Sequence, residues 1–360
     1  MVTSGTSSGD VVLDVADLKV EFRTDEGRVQ AVRGVSFQLH RGEVLGIVGE
    51  SGSGKSVTSL AAMGLLPASA RVSGSVRFRS RSGSRLEGRS GNTELLGASD
   101  SELSRVRGQG IAMIFQDPMT SLNPVYTVGY QITEAIRAHQ DVTRDAAGKQ
   151  AVELLDLVSI PHPTERAGSY PHELSGGMRQ RVVIAIAMAN HPEVIIADEP
   201  TTALDVTVQA QIMEALRTAK VQTGAAMLLI THDLGVIAGQ ADRVLVMYAG
   251  KVVEIGTVEE IFYAPRMPYT LGLLGSLPRL DVATERLHPI SGAPPSMINM
   301  SSGCPFAARC PLAAAICEAE DPPLAWTGTA GHLSACHFSD KLDGLEPADL
   351  FRPLSRDTDS

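Results

Sequence analysis

No run of residues in this chain approaches the roughly 18 consecutive apolar positions that a membrane-spanning helix needs, so a helical span is excluded. Residues 1–10 hold neither a basic stretch nor an apolar run, so no secretory signal is expected and the chain reads as cytosolic. A surplus of positive charge is also lacking. Lys and Arg number 31 against 41 Asp and Glu, a net charge of −10, and nucleic acid is therefore not expected as a partner. Cysteine is absent before Cys304, and all four cysteines fall in the last part of the chain. Aromatic residues make up only 4%, yet the 43% apolar share suffices for a sizeable core. The 360 residues leave room for two or three domains, and no internal repeat is visible.

Short patterned segments are there instead. VVLDVADLKVEF and VQAVRGVSFQLHRGE alternate in a way that predicts antiparallel strands. EVLGIVGE, IAMIFQ, EVIIADEP and AMLLITH are brief apolar runs with polar borders, and predict buried strands of an α/β sheet. The spacing between IAMIFQ and EVIIADEP, as in GKQAVELLDLV, predicts a helical subdomain over about 117–190. RVLVMYAGKVVEIG predicts a hairpin turning at Ala249-Gly250-Lys251. Prolines become frequent after about residue 265, which divides the chain into a main domain at 10–265 and a smaller one at 266–345. The ends, 1–9 and 346–360, are expected to be flexible. SVRFRSRSGSRLEGRSGN, with five arginines between positions 77 and 89, reads as a solvated loop, with contact to anionic lipid head groups as the alternative.

GESGSGKS matches G-x-x-x-x-G-K-[ST]: Gly49, Glu50, Ser51, Gly52, Ser53, Gly54, Lys55 and Ser56, with Val57 following. Glycines let backbone N–H groups turn inward around an anion, and the helix that follows aims its positive dipole end at the same place. Lys55 can reach the β- and γ-phosphates, and the Ser56 hydroxyl can ligate Mg²⁺. A chance glycine turn is the rival reading; a strand before and a helix after argue against it. VIIADE, residues 194–199, places Asp198 and Glu199 at the end of a buried strand. Asp198 would sit near Mg²⁺, and Glu199 would act as general base or orient the attacking water. Together these pieces define a P-loop nucleoside triphosphatase.

LSGGMRQR, residues 174–181, puts two glycines and a serine ahead of an apolar helix, a second anion cradle by the same dipole argument. With IFQDP (Gln116), TTALDV (Asp205) and LLITHDL (His232), this set resembles the signature, Q-loop, D-loop and switch histidine of ABC transporter nucleotide-binding subunits. The resemblance covers about residues 10–265 and implies an α/β core with an antiparallel β subdomain and a helical subdomain. It implies that Ser175, Gly176, Gly177 and Asp205 act across a head-to-tail dimer on ATP held by the other subunit. It further implies that Gln116 joins Ser56 and Asp198 on Mg²⁺, and that His232 contacts the γ-phosphate or the attacking water. His232 lies 33 positions after Glu199, and parallel neighbouring strands would bring both to one sheet edge. Two departures stand out. Met178 occupies the usual final Gln of the signature, and RTDEGRVQAV lacks the aromatic that stacks adenine in many relatives, Phe22 being the nearest candidate.

The segments DPMTSLNPVYTVGYQI, YAPRMPYTLGLLGSLP and SGCPFAARCPLAAAIC are similar to the oligopeptide/dipeptide importer branch. That implies two transmembrane permease subunits, a second ATPase (identical or a paralogue) and an extracytoplasmic solute-binding protein as partners. It places the chain on the cytoplasmic side of the membrane. The cysteines run Cys304-x5-Cys310-x6-Cys317-x18-Cys336, a small proline-rich extension better suited to a shared metal than to disulfides. Zinc sites prefer a Cys-x2-Cys knuckle, absent here, while proline after Cys304 and Cys310 is common around iron–sulfur ligands. A [4Fe–4S] cluster, as the resembled branch implies, stands beside zinc and free thiols. Two rival functions are a soluble ABC ATPase uncoupled from transport, and a non-hydrolysing regulatory module.

Overall fold

The computed structural model describes residues 11–81, 91–202, 204–276, 290–298, 300, 302–329 and 331–351. Among the described residues, twelve strands form two sheets. β1 (Val11–Thr24) and β2 (Gly27–His40) pair antiparallel, and β4 (Arg71–Arg79) and β5 (Asn92–Glu94) continue that sheet in the order β2-β1-β4-β5. The second sheet contains β3 (Val44–Val48), β6 (Ile111–Ile114), β7 (Val194–Asp198), β8 (Ala226–Ile230), β9 (Arg243–Tyr248), β10 (Lys251–Thr257), β11 (Ala325–Trp326) and β12 (Leu333–Ser334). Its order is β11-β12-β10-β9-β3-β8-β7-β6.

The strands β9, β3, β8, β7 and β6 run parallel. All residues of β3, β7 and β8 are buried, which is why they read as unbroken apolar runs rather than as alternation. β9 turns into β10 through Ala249 and Gly250, both with positive φ (47° and 77°), the twist that favours a two-residue hairpin.

Between β6 and β7 the chain is helical, with helices at Val128–Arg137, Arg144–Leu157 and Gly176–Met188. Each begins at a hydroxyl cap, Thr127, Thr143 or Ser175, whose side chain accepts a backbone N–H of the first turn. Val128, Ile132, Ile136, Leu154, Leu155, Val182 and Ile184 point into a core shared with one face of the parallel sheet. A second core lies between the two sheets, built on Val12, Leu13, Phe37, Leu39, Leu45, Ile47 and Phe78.

The cysteine-bearing extension packs onto this body. β11 and β12 prolong the large sheet beyond β10, and Phe306, Leu342 and Phe351 belong to the same core as the helices. Residues 346–351, at the start of the end expected to be flexible, are among the described ones. They form a short helix, Pro347–Leu350, and bury Phe351 to 8% exposure because its ring closes over Gly272, where a Cβ would come within 2.9 Å. The readings made for 1–9, for 352–360 and for Arg85 and Arg89 of the arginine-rich insert lie outside the described residues. Arg81, at the insert's near side, donates its amide to Glu193 and a guanidinium N–H to the Gly224 carbonyl. No helix among the described residues is long and apolar enough to cross a membrane.

Candidate functional site

β3 ends at Val48, the loop Gly49–Gly54 follows, and the helix Lys55–Ala62 begins. Gly49 passes so close to β9 that a Cβ would stand 2.2 Å from the Met247 carbonyl oxygen. Gly54 adopts φ 98° at the start of the helix, with the Ala31 carbonyl 2.5 Å from any Cβ. Ser51 and Gly52 face solvent at the loop tip, and Val57 is half-buried against the second core. Lys55 is only 4% exposed, and its Nζ donates to the carbonyls of Gly49 (2.8 Å) and Glu50 (2.9 Å). Burial pulls the Lys55 ammonium below its ordinary range, while the nearby charges of Glu199, Asp198 and Glu50 act the other way. Ser53 Oγ is buried without a hydrogen-bond partner. An unpaired buried hydroxyl within a glycine-rich loop at a helix start fits a phosphate oxygen.

The carboxylates stand beside this loop. Ser56 Oγ donates to Asp198 Oδ1 at 2.9 Å. Burial raises the Asp198 carboxyl above its usual value, with the Ser56 hydrogen bond opposing. Glu199 follows directly, in the left-handed region at φ 46°, where a non-glycine residue is strained. Its amide donates to the Ile230 carbonyl at 2.8 Å, which locks the turn to β8. The side chain then meets three partners: Gln116 Nε2 (2.9 Å) and Thr202 Oγ1 (2.8 Å) donate to Oε2, and His232 Nδ1 lies 3.4 Å from Oε1. β7 and β8 are parallel neighbours in register Asp198–Ile230, so Glu199 and His232 emerge at one sheet edge. Gln116, placed by the sequence on Mg²⁺ with Ser56 and Asp198, here engages Glu199 instead.

Ser175, Gly176, Gly177 and Asp205 form a separate surface. Ser175 is exposed and caps its helix by accepting the Met178 amide at 3.3 Å. Asp205 caps the helix Val206–Thr223 by accepting the Val208 amide at 3.0 Å. Gly177 joins the two helix starts: a Cβ there would lie 2.5 Å from Val208 Cγ1. Among the described residues, no hydrogen bond links these four to the loop Gly49–Ser56. Ser175 and Asp205 thus each cap a helix start, apart from the hydrogen-bond network of the loop.

Cys304, Cys310, Cys317 and Cys336 line one cavity together with Phe306, Met267 and Leu312. Burial pushes the Cys310 thiol up to about 11 and the Cys336 thiol up to about 12, and raises Cys304 as well. Four soft donors thus line one apolar pocket. Among the described residues, no three His, Cys, Asp or Glu side chains are placed to hold a single metal ion. Asp321 ties this tail to the main body through Lys251 (2.7 Å) and Arg33 (3.4 Å).

Sequence reasoning missed several residues of the site. Thr202 carries a weak signal, being three positions past Glu199 at a strand-end turn. Tyr269 and Arg309, which both contact Glu50, carry none, since nothing local marks a partner more than 200 positions away. The stretch without an adenine-stacking aromatic also has an unforeseen neighbour. The Gln30 amide donates to the Met297 carbonyl at 3.1 Å, and Val29 bridges Ile298, so the extension lies along this edge of β2. Phe22 packs against the second core.

The sequence profile of the family described as ABC transporter matches residues 32–202, and that described as oligopeptide/dipeptide transporter, C-terminal region, matches residues 253–317. The chain is 55% identical over 343 residues to the Mycobacterium tuberculosis protein named Oligopeptide transport ATP-binding protein OppD, a match covering 95% of this chain and 54% of that protein. It thus spans about half the length of that relative. It is 54% identical over 309 residues to the Bacillus subtilis protein named Dipeptide transport ATP-binding protein DppD, covering 85% of this chain and 89% of that one. Among solved structures, the dimeric post-hydrolysis state of the ATP-binding cassette MJ0796 bound to ADP and Pi is similar with a TM-score of 0.57 and 26% identity, over 68% of this chain and 98% of that one.

Proposed function

The chain belongs to the ABC transporter ATP-binding family, in its oligopeptide/dipeptide branch, and from that premise we propose that it hydrolyses ATP to drive import of peptides or related small solutes through a membrane permease. The observation that carries this reading is the Gln116–Glu199–His232 group at the sheet edge, beside the Ser56–Asp198 pair. Loop amides, Lys55 and Ser53 Oγ hold the triphosphate. Ser56, Asp198 and Gln116 would hold Mg²⁺, which when bound neutralises charge on the β- and γ-phosphates. Glu199 accepts a proton from the attacking water or orients it, and its strained backbone aims the carboxylate away from the strand. His232 holds the γ-phosphate side of that water. Gln116, which donates to Glu199, would also be a holder of Mg²⁺, and so links the catalytic carboxylate to the segment that follows residue 116.

The second cradle, Ser175 with Gly176 and Gly177, and the adjacent Asp205 act on ATP bound by another ATPase subunit, identical or a paralogue. ATP then joins the two subunits and hydrolysis separates them. Two permease subunits and an extracytoplasmic solute-binding protein complete the assembly, and the chain lies peripherally on the cytoplasmic face of the membrane. The four thiols would hold a [4Fe–4S] cluster, whose contribution here is to clip together a small segment with little core of its own.

The test is to co-express the chain with its permease, reconstitute the assembly in vesicles and measure peptide uptake against ATP hydrolysis. Uptake that needs ATP and stops with Glu199→Gln supports the reading. Turnover with no permease association, or stable association with no turnover, would instead leave the soluble ATPase or the regulatory module.

A further inference from the structure

Arg309 sits between Cys304 and Cys310 and reaches out of the cysteine tail into the phosphate loop. Its side chain is 6% exposed. Nη1 and Nη2 donate to the two carboxylate oxygens of Glu50 at 2.7 and 2.9 Å, a forked, charge-assisted pair. Nη1 also donates to Tyr248 Oη at 3.2 Å, and Nε to the Ser291 carbonyl at 3.1 Å. The guanidinium lies within 5.9 Å of the ring centres of both Tyr248 and Phe306.

Glu50 is held at every polar group it has. Its carboxylate meets Arg309, its amide donates to Tyr269 Oη at 2.8 Å, and its carbonyl accepts from Lys55 at 2.9 Å. Two of these three holds come from far along the chain. Tyr248, Tyr269 and Phe306 pack on one another with ring centres 4.5 to 5.5 Å apart. Phe306 also forms a wall of the cavity that the four thiols line. Residues 304–310 therefore have the thiol cavity on one side and the phosphate loop on the other.

Charge gives this contact a consequence. Glu50 places a carboxylate in the loop that must receive a triphosphate, and without a counter-charge it repels the ligand. An exposed ion pair would matter little here; a forked pair on a nearly buried guanidinium does.

We propose that Arg309 is a positioning residue for the phosphate loop: it neutralises and orients Glu50, and so makes nucleotide affinity depend on the folded state of the four-cysteine tail. This rests on the ATPase reading above. The cysteine tail is then more than a clip, because whatever holds residues 304–310 in place also sets the charge and shape of the loop.

The full-length chain is titrated with a fluorescent ATP analogue, and steady-state ATP hydrolysis is measured alongside. Arg309→Ala is expected to raise both the Kd for the analogue and the KM for ATP by about tenfold, with kcat at saturating ATP changed less than about twofold. Arg309→Lys, which keeps the charge and stem but loses the fork, falls between and carries the test if the alanine variant does not fold. Adding Glu50→Gln to Arg309→Ala should restore most of the affinity, since the repelling charge is gone. Cys336→Ser should weaken binding in the wild type yet add little on top of Arg309→Ala. Unchanged Kd in a folded Arg309 variant overturns the proposal, as do a kcat loss without a KM change and full additivity with Cys336→Ser. A wild-type chain that fails to bind the analogue defeats the ATPase reading itself, a different result from a wild type that binds and a variant that binds equally well.

Discussion

His232 and Glu199 emerge from adjacent parallel strands with Nδ1 3.4 Å from Oε1, although 33 residues separate them in the chain. The carboxylate is shared with Gln116 and Thr202, so one oxygen atom accepts two hydrogen bonds. Glu199→Gln keeps the shape of this group and removes its basicity. Turnover is expected to fall by at least about 100-fold while ATP-bound dimers persist. Phosphate release and light scattering read the two effects, and full turnover in the variant would remove Glu199 from its role.

Gly177 has no room for a side chain. A methyl group there would stand 2.5 Å from Val208 Cγ1, so Gly177→Ala makes either the stiff Val208 side chain or the helix that carries it shift. Overpacking of this kind costs about 1–3 kcal/mol. ATP-dependent dimerisation should weaken, with nucleotide affinity of the single chain little altered, and Val208→Ala should restore the dimer. A Gly177→Ala protein that dimerises normally would show that this contact does not shape the second cradle.

The thiol cavity predicts a colour. Purified without oxygen, the chain should be brown and contain iron and sulfide, and chelation should bleach it and lower its thermal midpoint. Zinc at one ion per chain in a colourless sample would assign the site to zinc. Neither metal, with four reactive thiols, would leave free cysteines.

Glu254 is fully buried and accepts both the Arg266 amide and His332 Nε2, the latter at 2.8 Å. Glu254→Ala strands both donors where β10 meets the cysteine tail, at a cost of about 2–4 kcal/mol. Denaturant unfolding should show the midpoint drop, with Glu254→Gln much milder because it retains an acceptor. Equal midpoints for the two variants would mean that the lost acceptor is not what matters.

Local chemistry was open to reading in the linear chain. The phosphate loop needs glycines at fixed offsets before Lys55 and Ser56, and Asp198 and Glu199 need only a buried strand beneath them. Ala249-Gly250 announces its turn because positive φ suits few residue types. The pairing of Glu199 with His232 followed from one topological rule, that neighbouring parallel strands end at the same edge.

Sequence alone determined the cassette and its order of motifs, because each motif depends on contacts within a few residues. Only the tertiary structure decided that Gln116 rests on Glu199, that Phe351 covers Gly272, and that Arg309 grips Glu50. These pairs form between segments with no shared periodicity. Their energy comes from burial and charge that exist only once the sheet and the cysteine tail have closed around them.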